Sequence, residues 1–227
     1  MIIDTVVPRF RLLHLVKRCA AATKCPGEDD DGERKWKVSG DITVSASERM
    51  LSMRAEDNTR SLYSFIEADS VAAGAARVDA ASLLACARAM PDGPVQLTIS
   101  DDFTVTVKAV GRSVRCVTRG EASKGTVTAR ADVLPVATIP VSSLARLIAQ
   151  TRKTISEDET RPHVNCVALE FGDGRVRAIS TDGHRMSISD EPASVAKTGS
   201  EPPEVALVPW GAVASLRGIL GTMKPAD

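Results

Sequence analysis

Ala178-Ile179-Ser180-Thr181-Asp182-Gly183-His184-Arg185-Met186 joins two strand-like runs through the dipeptide Asp182-Gly183. Asp-Gly in this setting is a strong two-residue hairpin signal, because glycine takes the positive φ that such a turn needs. The flanking runs read as strands Val176–Thr181 and Arg185–Ser189. A third run, Val164–Phe171, precedes them across the turn residues Gly172-Asp173-Gly174. The stretch therefore predicts an antiparallel meander.

Moving outward, the meander follows a short strand-like run, Val136–Ile139, and a helical segment, Pro140–Thr151, in which Leu144, Leu147 and Ile148 share one face. The same order recurs along the chain. Ile2–Val7 and Pro8–Ala22 precede the runs Lys35–Ser45, Met50–Ala55 and Leu62–Glu67. Ala76–Val78 and Asp79–Met90 precede Val95–Ser100, Phe103–Val110 and Ser113–Thr118, with turns at Asp101-Asp102 and Gly111-Arg112. In that helix Leu83, Leu84, Ala87 and Met90 form the apolar face, and Asp79 stands where an N-cap belongs. A fourth copy begins with Val205–Val208 and Pro209–Leu220, and Lys224-Pro225-Ala226-Asp227 follows with no further meander. Pro140 and Pro209 suit helix starts, where a missing N–H costs nothing. The expected fold is α+β: repeated β-α-β-β-β units, two of them placing two helices on antiparallel sheet in each domain. The expected domains are residues 1–133 and 134–227, the second without its last strands.

Composition narrows the function. At 227 residues with 43% apolar and 3% aromatic content, the core must be aliphatic. Five cysteines (Cys19, Cys25, Cys86, Cys116, Cys166) form no CxxC pair, which points to reduced, mostly buried thiols of a cytoplasmic protein. Met1–Pro8 does not read as a signal peptide, and no apolar run is long enough for a bilayer, so no membrane role is expected. The 29 basic and 29 acidic residues cancel, but they are segregated. The helical segments carry Arg9, Arg11, Lys17, Arg18, Lys24, Arg88, Arg146, Arg152, Lys153, Arg217 and Lys224 against one acid, Asp79. Such a bias attracts a polyanion through phosphate contacts without reading its sequence. Solvated basic faces on short amphipathic helices are the bland alternative for a single helix, and four helices without interior acids are harder to account for that way.

Asp182 and His184 could be taken for an acid/base pair, but no Ser or Cys nucleophile is tied to them by motif, and a turn explains Asp182-Gly183 more simply. Gly172-Asp173-Gly174 has no helix behind it and is a hairpin loop rather than a phosphate cradle. The acidic run Glu28–Asp31 lacks calcium-loop spacing and reads as a solvated loop. His14 could face either core or phosphate, and Trp36 and Trp210 read as packing residues. No catalytic residue, metal ligand or cofactor is expected.

Three stretches carry a family resemblance. Ile139-Pro140 through Leu147-Ile148-Ala149-Gln150-Thr151 resembles a helix ending in "LI..T". Asp158-Glu159-Thr160-Arg161-Pro162-His163-Val164-Asn165-Cys166-Val167 resembles "D-x-x-R-x-x-L-N-G-V". Ala178 to Met186 resembles "V-A-T-D-G-H-R-L". These patterns are those of the bacterial DNA sliding clamp, the beta subunit of DNA polymerase III, and weaker similarity runs through Val78–Pro91 and Arg112–Cys116. The resemblance covers the first domain and part of the second, with no third. It implies a non-enzymatic processivity factor that encircles duplex DNA as a homo-oligomeric ring and binds short peptides of polymerase, clamp loader and repair proteins. It implies a peptide groove at Arg161, Val164, Thr181, Gly183, His184, Arg185 and Met186. It implies sequence-independent DNA contacts from Arg9, Arg11, Lys17, Arg18, Lys24, Arg88, Arg146, Arg152, Lys153, His163 and Arg217. The alternative is a clamp-like protein that binds replication partners without forming a ring.

Overall fold

The computed structural model describes residues 2–28, 34–38, 40–56, 61–102, 104–117, 137–158, 160–195 and 205–223; the side chains of 24–28, 34–38, 116–117 and 195 lie outside that description. The chain divides into two compact units, Met1–Ala129 and Arg130–Asp227. The expected junction at 133/134, the acids Asp29–Asp31, and the C-terminal Lys224–Asp227 fall outside the described residues.

The first unit runs β1 (Ile3–Pro8), α1 (Arg9–Ala22), β2 (Lys24–Glu28), β3 (Arg34–Val38), β4 (Asp41–Ser47), β5 (Met50–Glu56), β6 (Ser61–Glu67), β7 (Asp69–Ala72), β8 (Gly74–Asp79), α2 (Ala80–Ala89), β9 (Pro94–Ile99), β10 (Thr104–Ala109) and β11 (Arg112–Val117). One sheet has the order β11-β10-β9-β1-β7 and the other β6-β5-β4-β8, with β2-β3 a separate hairpin. Helix α1 starts behind Pro8, and Asp79 caps α2 by accepting a hydrogen bond from the Ser82 amide at 2.7 Å. The helices bury Leu12, Leu15, Val16, Leu83 and Ala87 against Ile42 and Val44 of β4, Leu51 and Met53 of β5, Leu97 and Ile99 of β9, and Val105 and Val107 of β10. This is the aliphatic core that the composition required.

The second unit runs β12 (Ala137–Thr138), α3 (Val141–Thr151), a 3₁₀ turn (Arg152–Thr154), β13 (Cys166–Gly172), β14 (Arg175–Thr181), β15 (Met186–Pro192), β16 (Ser194–Val195), β17 (Val205–Pro209) and α4 (Trp210–Leu220). Its main sheet is β15-β14-β13-β17, and β12 pairs with β16. Leu147, Ile148, Ile155, Val167, Val176, Ala178 and Val213 form its core, with Trp210 packed at the margin. Asp173 and Gly174 both have positive φ, as a two-residue hairpin loop requires.

Several expectations are corrected. The run Lys35–Ser45 is two strands in different sheets, divided around Gly40, whose φ of +100° no strand accommodates. The segment after α1, taken as a loop, begins with strand β2, which reaches Glu28. The short strands β7 and β16 were not anticipated; they add to β1 and β12 after each first meander. The β10–β11 turn is Val110-Gly111 rather than Gly111-Arg112. Strand β13 starts at Cys166 because the backbone amides of Val164 and Asn165 instead donate to the Arg161 carbonyl.

Candidate functional site: a carboxylate-pinned hairpin and the basic helices

Thr181 pairs with Met186, so residues 182–185 form a four-residue loop rather than the two-residue one that Asp-Gly suggested. The cause is the Asp182 side chain. Its Oδ1 accepts the backbone N–H groups of His184 at 2.9 Å and Arg185 at 3.0 Å, and its Oδ2 accepts Arg185 Nε at 2.8 Å. Aspartate in such a position replaces a backbone turn bond with a side-chain one. Thr181 Oγ1 donates to the Arg185 carbonyl at 2.8 Å and accepts from the Gly183 amide at 3.1 Å. Gly183 closes the loop at φ +93°. The Arg185 guanidinium, followed by the two backbone N–H groups, holds the Asp182 carboxyl well below the ordinary carboxylate range. Asp182 is thus an ionised pin, unsuited to take up a proton near neutrality.

The pinned loop leaves His184, Arg185 and Met186 exposed, Met186 at 61%. Beneath it, Ser180 Oγ donates to the Thr151 carbonyl at 2.6 Å, and the hydroxyls of Thr154 and Ser180 lie 2.6 Å apart. These buried bonds tie β14 to the end of α3. Arg161 and Val164 sit on a separate loop. There Asp158 accepts the Thr160 amide at 3.0 Å and hydroxyl at 2.6 Å, and Asn165 Nδ2 donates to the Ser156 carbonyl at 2.6 Å. Those Thr160 bonds lower the Asp158 pKa. Val164 is half-buried and Arg161 exposed. Among the described residues no hydrogen bond or ion pair joins this loop to the hairpin; the two are adjacent elements of one unit rather than a closed constellation. The sequence reading missed the apolar continuation of Met186. Ile188, Val205 and Leu207 are also exposed, and Ile188, Ile179, Ala168 and Leu207 lie in one cross-strand row. The alternation Met186-x-Ile188 and Val205-x-Leu207 was the available signal.

Two of the helix cations are engaged by acids elsewhere in their units. Arg9 donates to Asp92 at 2.6 Å and to the Arg88 carbonyl at 3.2 Å, bracing the start of α1 on the last turn of α2 and the segment after it. Arg146 grips Glu191 of β15 through two 2.7 Å bonds and also reaches Ser143 Oγ at 3.2 Å. The Glu191 carboxyl is drawn down to about 2 by the Arg146 and Ser143 hydrogen bonds. Lys17, Arg88, Arg152, Lys153 and Arg217 make no ion pair among the described residues, and Arg88, Lys153, His163 and Arg217 are exposed. The Lys24 side chain lies outside the description. Cys19, Cys86 and Cys166 are buried, and burial pushes the Cys19 thiol up to about 12. Among the described residues no three His, Cys, Asp or Glu side chains converge as a metal site, and no helix is long and apolar enough to cross a membrane.

Helix-on-sheet units repeated in this order define a DNA clamp fold, and solved clamps share it. The structure of Caulobacter crescentus pol III beta aligns with a TM-score of 0.74 at 24% identity, covering 96% of this chain and 58% of that one. The Thermotoga maritima DNA polymerase III beta subunit aligns with a TM-score of 0.75 at 14% identity, covering 97% and 57%. Residues 138–224 match the family model of the DNA polymerase III beta subunit, central domain. The Caulobacter vibrioides beta sliding clamp is 29% identical over 167 residues, which is 71% of this chain and 45% of that protein. The Treponema pallidum beta sliding clamp is 24% identical over 173 residues. The chain is similar to the bacterial DNA sliding clamps, and it spans about half the length of the curated relatives it matches.

Proposed function

We propose that this protein is a non-catalytic processivity factor of the sliding-clamp kind, binding duplex DNA without sequence preference and short apolar peptides of replication partners. The carrying observation is the pinned hairpin. Asp182 holds a rigid loop that presents His184, Arg185 and Met186 together, an adaptable thioether beside donors for peptide carbonyls. The groove assigned to Arg161, Val164, Thr181, Gly183, His184, Arg185 and Met186 is part of this reading. DNA contact falls to cations that make no ion pair among the described residues, among them Arg11, Lys17, Arg88, Arg152, Lys153 and Arg217. Arg9 and Arg146 are instead braces.

The test uses the full chain. Anisotropy with a short apolar clamp-binding peptide should show saturable binding that Met186→Asp weakens more than tenfold. Unchanged binding would remove the groove. A ring should be retained on circular but not linear DNA and should give a defined oligomer by light scattering. The engagement of Arg9 and Arg146 favours a second reading, partner binding without encirclement; equal loss from both DNA forms by a monomer that still binds peptide would establish it.

A further inference from the structure

The four-stranded sheets of the two units can be matched residue for residue. Pro8 stands before α1 as Pro140 stands before α3, and the β4–β5 and β13–β14 hairpins each turn through two residues, Glu48-Arg49 and Asp173-Gly174. Alternate residues of these strands are the buried ones that join the helices in the two cores. Of the residues facing the other way, one row of the first unit is Tyr63–Arg54–Thr43–Arg77 across β6, β5, β4 and β8. Counted from the hairpin turns, the same row of the second unit is Ile188–Ile179–Ala168–Leu207 across β15, β14, β13 and β17. The first row is polar, and Arg54 pairs with Glu56 at 3.0 Å and Arg77 with Asp41 at 3.4 Å. The fold therefore does not require apolar residues there. In the second unit every member is aliphatic, Ile188 and Leu207 are each 58% exposed, and Met186 and Val205 extend the patch on the same face. Apolar residues exposed singly are ordinary, whereas a contiguous set with a polar border marks a surface that a partner covers.

That border is already satisfied. Arg177, in the next row, donates to Asp190 at 2.8 Å and lies 3.7 Å from Glu170. An apolar centre with a polar rim has the anatomy of an interface. A face four strands wide and five residues long measures about 19 by 17 Å, so two copies packed face to face would bury about 650 Å², short of the roughly 1,000 Å² of a specific interface. The area suits a short segment, and continuity says which one. Met186 and Ile188 lie on the same face of β15, about 7 Å apart, so the apolar surface runs on from the pinned hairpin towards Leu207. We infer that the partner segment seated at the hairpin carries an aliphatic flank that crosses this sheet face, with a large apolar side chain over Ala168, the low point between Ile179 and Leu207. The row spans about 14 Å, the length of roughly ten helical residues, so the flank is a three-turn amphipathic helix with one apolar stripe. The inference rests on the hairpin reading proposed above and adds to it the length and chemistry of the partner.

Anisotropy against the full chain compares the short apolar peptide with versions extended at either end by ten residues, leucine at every third or fourth position and alanine, glutamate and lysine between. One extended version should bind at least tenfold tighter than the short peptide, and serine in place of the flank's leucines should cancel the gain. Leu207→Ser and Ile188→Ser should each cancel it too, with circular-dichroism melting and short-peptide affinity unchanged. A short peptide that binds while neither flank adds affinity overturns this inference and leaves the hairpin reading intact. An equal gain from the serine flank, or a gain that survives Leu207→Ser, overturns it as well. A dimer in light scattering that Leu207→Ser disperses makes a second copy of this chain the occupant instead. A flank peptide that binds alone with the same Leu207 dependence, when the short peptide does not bind, keeps the sheet-face site and removes only the hairpin reading. If no peptide binds, both fail.

Discussion

Among the described residues, the first unit offers its two helices a five-stranded and a four-stranded sheet, whereas the second offers the equivalent pair one four-stranded sheet and the two-stranded β12–β16 ladder. Helix α2 buries Ala80, Leu83, Leu84, Cys86 and Ala87, while α4 buries only Val213 and Ser215 among its described residues. Yet α4 contains Trp210, Val213, Leu216, Ile219 and Leu220, larger apolar side chains than most of α2. Burial is therefore set by the layer across from a helix and not by its own composition. In the first unit β10 and β11 supply that layer to α2.

The largest expected effect breaks or sustains this contrast directly. Leu83 is fully buried, so Leu83→Ala should destabilise the first unit by about 3 kcal/mol through lost transfer and a cavity. Leu216, half-buried on α4, should cost less than about 1 kcal/mol when changed to Ala. Urea unfolding followed by hydrogen exchange, which separates the units, measures both. Equal losses would mean that α4 is packed as completely as α2.

The same contrast explains what was readable in advance. Helix starts followed from Pro8, Asp79, Pro140 and Pro209, and meanders from Gly and Asp turns, because these residues act locally through φ and capping. The α+β clamp architecture was legible for that reason. The Asp182 loop was misjudged by two residues, because its length depends on where one carboxylate finds donors. The engagement of Arg146 by Glu191 and of Arg9 by Asp92 spans distant parts of the chain. A count of basic residues in helices could not distinguish such braces from cations open to phosphate. The strand break near Gly40 was likewise hidden within a run of favourable residues.

A smaller effect tests the buttress under the hairpin. Thr151, Thr154 and Ser180 correspond to Cys19, Ala22 and Ala55 in the first unit, all buried, so one unit joins helix to strand by hydroxyls and the other by apolar packing with a weak Cys19 Sγ bond to the Met53 carbonyl at 3.7 Å. Ser180→Ala should cost about 1 kcal/mol, the net worth of a typical buried hydrogen bond. The loss stays modest because Thr154 retains the Thr151 carbonyl at 3.0 Å. Adding Thr154→Ala should recover part of the loss, as the pair then resembles Ala22 and Ala55. A further loss instead would show that the hydroxyls stabilise beyond their mutual satisfaction.

The cations offer a subtler contrast. If duplex DNA binds the helices, Lys153→Ala should lower the slope of log affinity against log salt by about 1. Arg146→Ala, which removes a brace, should leave that slope unchanged. Fluorescence titrations from low to moderate salt decide it, and a slope change at Arg146 would show that the guanidinium leaves Glu191 for phosphate.

The smallest effect concerns acid. Glu191 titrates near 2 when folded against an ordinary 4.5, so its stabilising contribution is complete above about pH 4.5 and fades as the pH falls towards 2. The unfolded state binds the proton first, which is why stability decreases in that window. The pair is largely exposed on the arginine side, so the change is modest. Strand β6 has Ile66 in the equivalent place. Protection factors of β15 amides, corrected for intrinsic exchange, should therefore decline between pH 4.5 and 2 relative to those of β6. Glu191→Gln should abolish the difference, since an amide does not titrate there. A β15 profile that keeps its acid dependence in Glu191→Gln would move the effect to Asp182, whose pinned carboxylate lies at the other end of the same hairpin.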